Sequence, residues 1–197
     1  MAQDRGVVVA GASRPYPGET SNGDAWQVDW HASQCRIAVV DGLGHGPEAA
    51  LASSEALRVL ADRPELSPEE GLRACHAALR ATRGAAMSIA AIDTQASRLT
   101  FAGVGNAEAC LLLDGAWQRL IAYRGIVGAT LPRLRSFTFQ LTPGWSLAMF
   151  TDGVRSRFQF DALPQAVDQT PQAFASASLE TWARETDDAT IVIARAA

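Results

Sequence analysis

The sequence carries no excess of positive charge. It has 17 basic residues, all arginine, against 21 acids, for a formal net charge of -4. No cluster of them rises above a solvated face, which argues against nonspecific nucleic-acid binding. Arginines can still be grouped around a phosphorylated ligand by the fold, but sequence order does not display such a grouping. Cysteine is scarce as well: Cys35, Cys75 and Cys110 are odd in number, widely spaced and free of any C-x-x-C pattern. That excludes a disulfide framework and a zinc knuckle, and leaves buried thiols in a reducing compartment. His31 and His76 lack metal-ligand spacing. No apolar run reaches the length of a membrane span, and Met1 to Arg5 contains no basic segment leading into an apolar signal core. The expectation is a cytoplasmic protein with neither membrane nor nucleic acid as partner. Internal repeats and low-complexity linkers are absent too.

What is present is enough for one well-buried domain spanning residues 1–197, with 48% hydrophobic and 19% charged residues. The stretch Ile37 to Gly46 organises the rest. Four apolar residues, Ile37 to Val40, predict a buried strand that stops at a carboxylate, Asp41, followed by Gly42, Gly44 and Gly46. Those glycines permit positive φ or a close backbone approach, and Pro47 suits the first turn of a helix over 47–61. Seen alone, the stretch reads equally well as an ordinary tight turn with a capping Asp.

Along the chain, Val7 to Val9 predict a strand, and residues 14–23 form a loop that delivers Asn22, Gly23 and Asp24. Trp26, Val28 and Trp30 alternate with Gln27 and Asp29, the period of a half-buried strand. Antiparallel pairing of this strand with the one ending at Asp41 would put Asp24 and Asp41 at one sheet edge. The helix over 47–61 carries Leu51, Leu57 and Leu60 among alanines that let it lie close on a sheet. Ser67-Pro68-Glu69-Glu70 is a capping box, with Leu72, Cys75 and Leu79 on the buried face of the helix it starts. From Met87 the chain turns strand-rich: 87–92, 99–104, 108–113 and 117–122 form a meander, with Asp114-Gly115 as a type I′ hairpin. Residues 121–135 are irregular, with Arg124, Arg133 and Arg135, and predict a mobile loop. Strands over 137–141 and 146–150 flank Pro143-Gly144, and the second runs into Thr151-Asp152-Gly153. A short helix is predicted over 161–167 and a longer one from Thr170-Pro171 that carries Phe174, Leu179 and Trp182. Asp187-Asp188-Ala189-Thr190 then leads into a last strand, Ile191 to Ile193.

Asp24, Asp41, Asp152 and Asp187 therefore each stand where a predicted strand begins or ends, beside Gly or a second Asp. Several carboxylates clustered without a cation repel one another, whereas hard cations such as Mg²⁺ or Mn²⁺ take oxygen ligands. Two such ions about 3.5–4 Å apart can lower the pKa of a water and stabilise an in-line displacement at phosphorus. Phosphate hydrolysis is the chemistry this donor set suits.

In Asn22-Gly23-Asp24, Val40 to Gly46, Phe101-Ala102-Gly103-Val104-Gly105-Asn106, Phe150 to Val154 and Asp187 to Thr190, the chain resembles the metal-dependent protein serine/threonine phosphatases of the type-2C (PP2C) class. Within that class it is most similar to the small bacterial branch typified by SpoIIE and RsbX. The resemblance implies an α+β fold, a four-layer α-β-β-α sandwich of two mainly antiparallel sheets flanked by helices. It implies that Asp41 bridges two Mn²⁺ or Mg²⁺ ions, that the Gly42 carbonyl holds one, and that Asp152 and Asp187 hold the other. Asp24 would serve directly or through water, with Asp188 the alternative to Asp187. A metal-bridged hydroxide would attack the phosphoester, with Asp41 and Asp152 essential to catalysis. The implied substrate is phosphoserine or phosphothreonine on a bacterial regulator, a STAS-type protein of a stressosome or anti-sigma pathway.

Three departures from the family pattern stand out. Gly23 replaces the Glu that many larger relatives carry before the first Asp. Leu43 replaces a His assigned as acid for the leaving group, with His45 two residues on as a candidate substitute. The Arg that grips phosphate usually stands a few residues before the first Asp, where this chain has Glu19 and Thr20; Arg14 is nearby in the loop. These departures raise a competing reading, a catalytically weak or inactive phosphatase-like module that binds a phosphorylated partner.

Overall fold

A computed structural model of the chain describes residues 2–4, 6–155, 157–158 and 169–197. Eleven strands are described: β1 (Ala2–Asp4), β2 (Val7–Arg14), β3 (Asp24–His31), β4 (Gln34–Gly42), β5 (Ala85–Asp93), β6 (Arg98–Val104), β7 (Glu108–Leu113), β8 (Ala116–Arg119), β9 (Phe137–Gln140), β10 (Ser146–Phe150) and β11 (Ala189–Ala196). Helices α1 (Pro47–Ala61) and α2 (Pro68–Ala78) lie between β4 and β5, and α3 (Pro171–Trp182) precedes β11. The helix predicted over 161–167 lies outside the described residues.

The strands form two antiparallel sheets, ordered β1-β2-β11-β10-β7-β8 and β3-β4-β5-β6-β9. Three apolar clusters define the layers. Ile37, Val39, Ile92, Phe101, Leu111 and Leu147 meet between the sheets. Val40, Val59, Leu60, Leu72 and Met87 join α1 and α2 to the five-stranded sheet. Phe150, Phe174 and Ile191 join α3 to the six-stranded sheet. This is the expected four-layer α-β-β-α sandwich. It explains why β4 is apolar without alternation: Cys35, Ile37 and Val39 face the other sheet while Ala38 and Val40 face helices, so both sides are dry.

Local signals held where local physics governs. Asp114 and Gly115 take φ of 51° and 79°, the left-handed pair that a type I′ turn needs. The Ser67 hydroxyl accepts from the Glu70 N–H, and the Glu70 carboxylate accepts from the Ser67 N–H at 3.0 Å. Cys35, Cys75 and Cys110 are all buried. No helix among the described residues is long and apolar enough to cross a membrane.

Two expectations need correction. Leu51 is 60% exposed; α1 instead faces the sheet with Ala49, Ala52, Ala56, Val59 and Leu60, because small side chains let the helix sit close. The 121–135 segment is not a free loop. Ala85 and Val127 exchange both backbone hydrogen bonds at 2.9 Å, Tyr123 N–H donates to Gly103 O at 2.9 Å, and Gly128 N–H donates to His76 Nδ1 at 3.0 Å. Val127 and Leu134 are buried beneath it. An irregular backbone can be held firmly when its polar groups find partners on strand ends.

Candidate functional site

Register brings the acids together. In the β3–β4 pairing Asp24 stands directly opposite Asp41, and Asp41 is opposite Ala86 of β5. In the other sheet Phe150 at the end of β10 pairs with Ile191 near the start of β11. The segment leaving β10 and the segment entering β11, which carry Asp152 and Asp187, therefore emerge side by side.

Threonines fasten the two sheets at this end. The Thr151 hydroxyl donates to Asp24 Oδ2 at 2.6 Å and accepts the Thr190 N–H at 3.0 Å. Thr190 also hydrogen-bonds the Asp24 carboxylate, and its hydroxyl meets Ser13 Oγ at 2.6 Å. Asn22 Nδ2 donates to the same Ser13 oxygen at 2.6 Å, while Asn22 Oδ1 accepts the Asp24 N–H at 3.0 Å, a local turn that aims Asp24 inward. Asp24 is 5% exposed.

The electrostatics are those of a crowded anion cluster. Burial is the first cause that pushes Asp24 up to about 7, against the Thr151 and Thr190 hydrogen bonds that favour its charge; Asp188 and Asp187 add to the rise. Asp41 keeps some surface, yet its carboxyl is largely desolvated. Burial first, then the charges of Asp24, Asp152 and Asp187, push it up to about 9, and it hydrogen-bonds Asp152. Asp187 is raised by burial and then by Asp152. Asn106 Nδ2 donates to Asp152 Oδ2, giving that carboxylate a neutral partner.

Sequence left Asp187 and Asp188 unranked, and the structure separates them. Asp187 is partly exposed and lies in the field of Asp152 and Asp41. Asp188 is 2% exposed, and its Oδ1 accepts the Tyr16 N–H at 2.9 Å. Its Oδ2 is buried with no hydrogen-bond partner among the described residues and lies 2.6 Å from where a Cβ on Gly23 would stand, with the Ala49 Cβ at 2.9 Å from that same point. A glutamate at position 23 would collide there, which accounts for the first departure from the family pattern.

Gly42 closes the cluster, its N–H donating to Gly23 O at 3.1 Å with the Ala49 backbone packed against its Cα. His45 stands elsewhere. Its ring is exposed, stacks on Tyr16 at 4.4 Å and meets Glu19 Oε1 at 3.2 Å, so its described partners belong to the 14–23 loop and not to Asp41 or Asp152. Arg14 donates to two backbone carbonyls, Pro15 O at 3.1 Å and Arg184 O. Asn106 and the Thr151–Thr190–Ser13 chain went unassigned by sequence reasoning. Asn106 and both threonines stand inside the conspicuous motifs, but a supporting hydrogen bond has no sequence signal of its own.

Chemically, the donor set suits hard divalent cations: it offers carboxylate oxygens whose mutual repulsion a cation would relieve. Among the described residues no group of three or more His, Cys, Asp or Glu is arranged to hold an ion as it stands. The acids are turned to one another and to neutral donors, Asp41 to Asp152, Asp152 to Asn106 and Asp24 to the threonines. Ion binding thus calls for side-chain rotation on strand ends already in register.

A family model described as Stage II sporulation protein E (SpoIIE) matches residues 31–197. No curated protein sequence gives a significant match. Among solved structures, a chain described under "The bacterial stressosome: a modular system that has been adapted to control secondary messenger signaling" superposes with a TM-score of 0.88 at 28% identity. That match covers 96% of this chain and 99% of the other. RsbX in complex with magnesium gives a TM-score of 0.87 at 20% identity, covering 100% and 98% of the two chains. The catalytic domain of the serine threonine protein phosphatase PstP, in complex with 2 manganese ions, gives 0.72 at 18% identity, covering 96% and 97%. The last two likenesses establish the fold.

Proposed function

The chain belongs to the SpoIIE family of PP2C-type phosphatase domains, and on that premise we propose that it is a metal-dependent protein phosphatase acting on phosphoserine or phosphothreonine of a bacterial signalling regulator. The observation that carries this reading is Asp24 facing Asp41 across the β3–β4 pair, with Asp152 hydrogen-bonded to Asp41 from the other sheet. Asp41, the Gly42 carbonyl, Asp152 and Asp187 would hold two Mn²⁺ or Mg²⁺ ions, with Asp24 contributing directly or through water. When bound, such ions lower the pKa of a water and stabilise charge at phosphorus. The chain's own part is to hold the acids in place. The Thr151 and Thr190 hydroxyls keep Asp24 oriented, Asn106 orients Asp152, and Asp188 anchors the 14–23 loop through the Tyr16 N–H. The likeness to the stressosome chain over nearly its whole length supports a stressosome regulator as substrate, and the substrate we propose is a STAS-type regulator of a stressosome or anti-sigma pathway.

The engagement of His45 with Glu19 and Tyr16 favours a second reading, a module that binds a phosphorylated partner with little turnover. Hydrolysis of an aryl phosphate and a phosphoserine peptide, with Mn²⁺ and with chelator, decides between them. Metal-dependent turnover lost in Asp41→Ala and Asp152→Ala supports the enzyme. Activity surviving both substitutions rules out this site, and phosphopeptide binding without turnover supports the module.

A further inference from the structure

A phosphoprotein that presents its phosphoryl group to the acid cluster must lay the residues on either side of it across the surface around the acids. Its phosphate carries a charge of about −2, so the carboxylates themselves offer no attraction, and contacts beside them are needed to hold the partner. A cavity of about 320 Å³ opens there, lined by Gly105, Glu108, Arg119, Leu120, Ile121 and Ala122. Two side chains fix its place next to the site. Asn106, adjacent in the chain to Gly105, donates to Asp152 Oδ2, and Glu108 stands opposite Phe150, two residues before Asp152, in the β7–β10 pairing. A chain in extended form rises about 3.3 Å per residue, so it crosses from acid to cavity within a few residues.

The wall that carries Ile121 is built firmly. Leu120 N–H donates to Ala109 O at 2.8 Å, on the six-stranded sheet. Tyr123 N–H donates to Gly103 O at 2.9 Å and its carbonyl accepts the Gly105 N–H at 2.8 Å, both at the end of β6 in the five-stranded sheet. Residues 120–123 thus span the two sheets and are pinned at both ends. Leu120 is turned inward at 3% exposure, whereas Ile121 is turned outward at 59%; with Leu51 it is one of two large apolar side chains left exposed among the described residues. Arg119 and Glu108 pair at 2.5 Å, so this wall neutralises itself and presents no net charge to a ligand. We propose that the cavity receives an apolar side chain of the phosphoprotein substrate, close to the phosphorylated residue, with Ile121 as the specificity-determining contact. The proposal rests on the phosphatase reading above. An aliphatic side chain seated on Ile121 takes apolar surface of both partners out of water, and the self-paired wall neither attracts nor repels it.

The test uses the Mn²⁺-loaded full chain. Its substrates are p-nitrophenyl phosphate, which has no flanking residues, and phosphoserine peptides flanked by Gly on both sides or by a single Leu at each flanking position in turn. At least one Leu peptide should exceed the all-Gly peptide about tenfold in kcat/KM, through KM. Ile121→Ser should remove that preference, lowering kcat/KM for the Leu peptide about tenfold relative to p-nitrophenyl phosphate, and Ile121→Leu should keep it. Leu51→Ser, the same kind of change on the outer face of α1, should leave this ratio within about twofold. Equal kcat/KM for all peptides overturns the proposal, as does a preference that survives Ile121→Ser. A fall in Ile121→Ser shared equally by p-nitrophenyl phosphate also overturns it, because that marks a structural role. Turnover of p-nitrophenyl phosphate with none of any peptide sinks the cavity's role while leaving a phosphatase. If the unaltered chain binds the peptides without turnover, the hydrolytic reading fails and the same comparison of dissociation constants, by calorimetry, decides on the cavity. If it neither binds nor turns over any of them, both fall.

Discussion

Two Asp-Gly turns stand at the same end of the sandwich, one from each sheet, and they are not equivalent. Asp41-Gly42 terminates β4 within the ladder, so Asp41 has Asp24 on one side and Ala86 on the other and cannot move without disturbing both pairings. Asp152-Gly153 follows β10 on a turn, where Asp152 is balanced by the neutral amide of Asn106. The first carboxyl is pushed up to about 9 by burial and three acidic neighbours. The same two-residue signal thus delivers one carboxylate locked in a repulsive cluster and one steadied by a hydrogen bond. What differs is the next shell of neighbours, and both glycines are needed because backbone presses on them: that of Ala49 on Gly42 and that of Asp188 on Gly153.

The comparison is broken most severely at Asp41. Asp41→Asn should cost on the order of 10²–10³-fold in metal-dependent turnover, read from initial rates at saturating Mn²⁺. Next is the steadied acid: Asn106→Ala removes the donor to Asp152 and should weaken metal affinity or activity about 10–100-fold, measured by Mn²⁺ titration. An unchanged titration would show that the amide does not orient Asp152. Gly153→Ala should destabilise the fold by about 1–3 kcal/mol or more in denaturant unfolding, since the added Cβ meets the Asp188 carbonyl. Thr151→Val leaves Asp24 Oδ2 without its donor and the Thr190 N–H without its acceptor, and should cost about 1–3 kcal/mol by the same measurement.

The smallest effect is on pH dependence. Asp24 and Asp41 hold protons more tightly in the folded state than the ordinary carboxylate, with values of about 7 and about 9 against 3.8. The stability linked to those protons is fully present below about pH 4 and lost as pH rises through about 7 and then about 9. Chelated protein should therefore melt at progressively lower temperature across that window, and saturating Mn²⁺ should flatten the slope. A melting temperature independent of pH in chelator would contradict the crowded-cluster account.

Much of the fold was legible because its signals are short-range. The alternation of Trp26, Val28 and Trp30, the Asp114-Gly115 turn and the Ser67–Glu70 box each depend on residues a few positions apart, and each formed as read. The 121–135 segment misled because its anchors, His76, Ala85 and Gly103, are remote in sequence. Leu51 misled because α1 approaches its sheet through alanine, so that bulk marks the outer face. At the site, the four aspartates were visible as strand-end acids. Their inequality was not, nor was the reason Gly23 stands beside them, which is the buried carboxylate of Asp188.

The order of residues by itself determined where strands start and stop, which turns bear a carboxylate, and that those carboxylates suit a hard cation. Periodicity, backbone freedom and ligand chemistry are properties of a residue and its immediate neighbours. Only the tertiary structure decided that Asp24 faces Asp41, that Asp187 is partly exposed beside Asp152 while Asp188 is buried against the Tyr16 N–H, and that His45 turns to Glu19. Those outcomes depend on atoms far apart in the chain, 172 residues apart for the Tyr16–Asp188 hydrogen bond. Charge coupling and hydrogen bonding act through space rather than along the backbone.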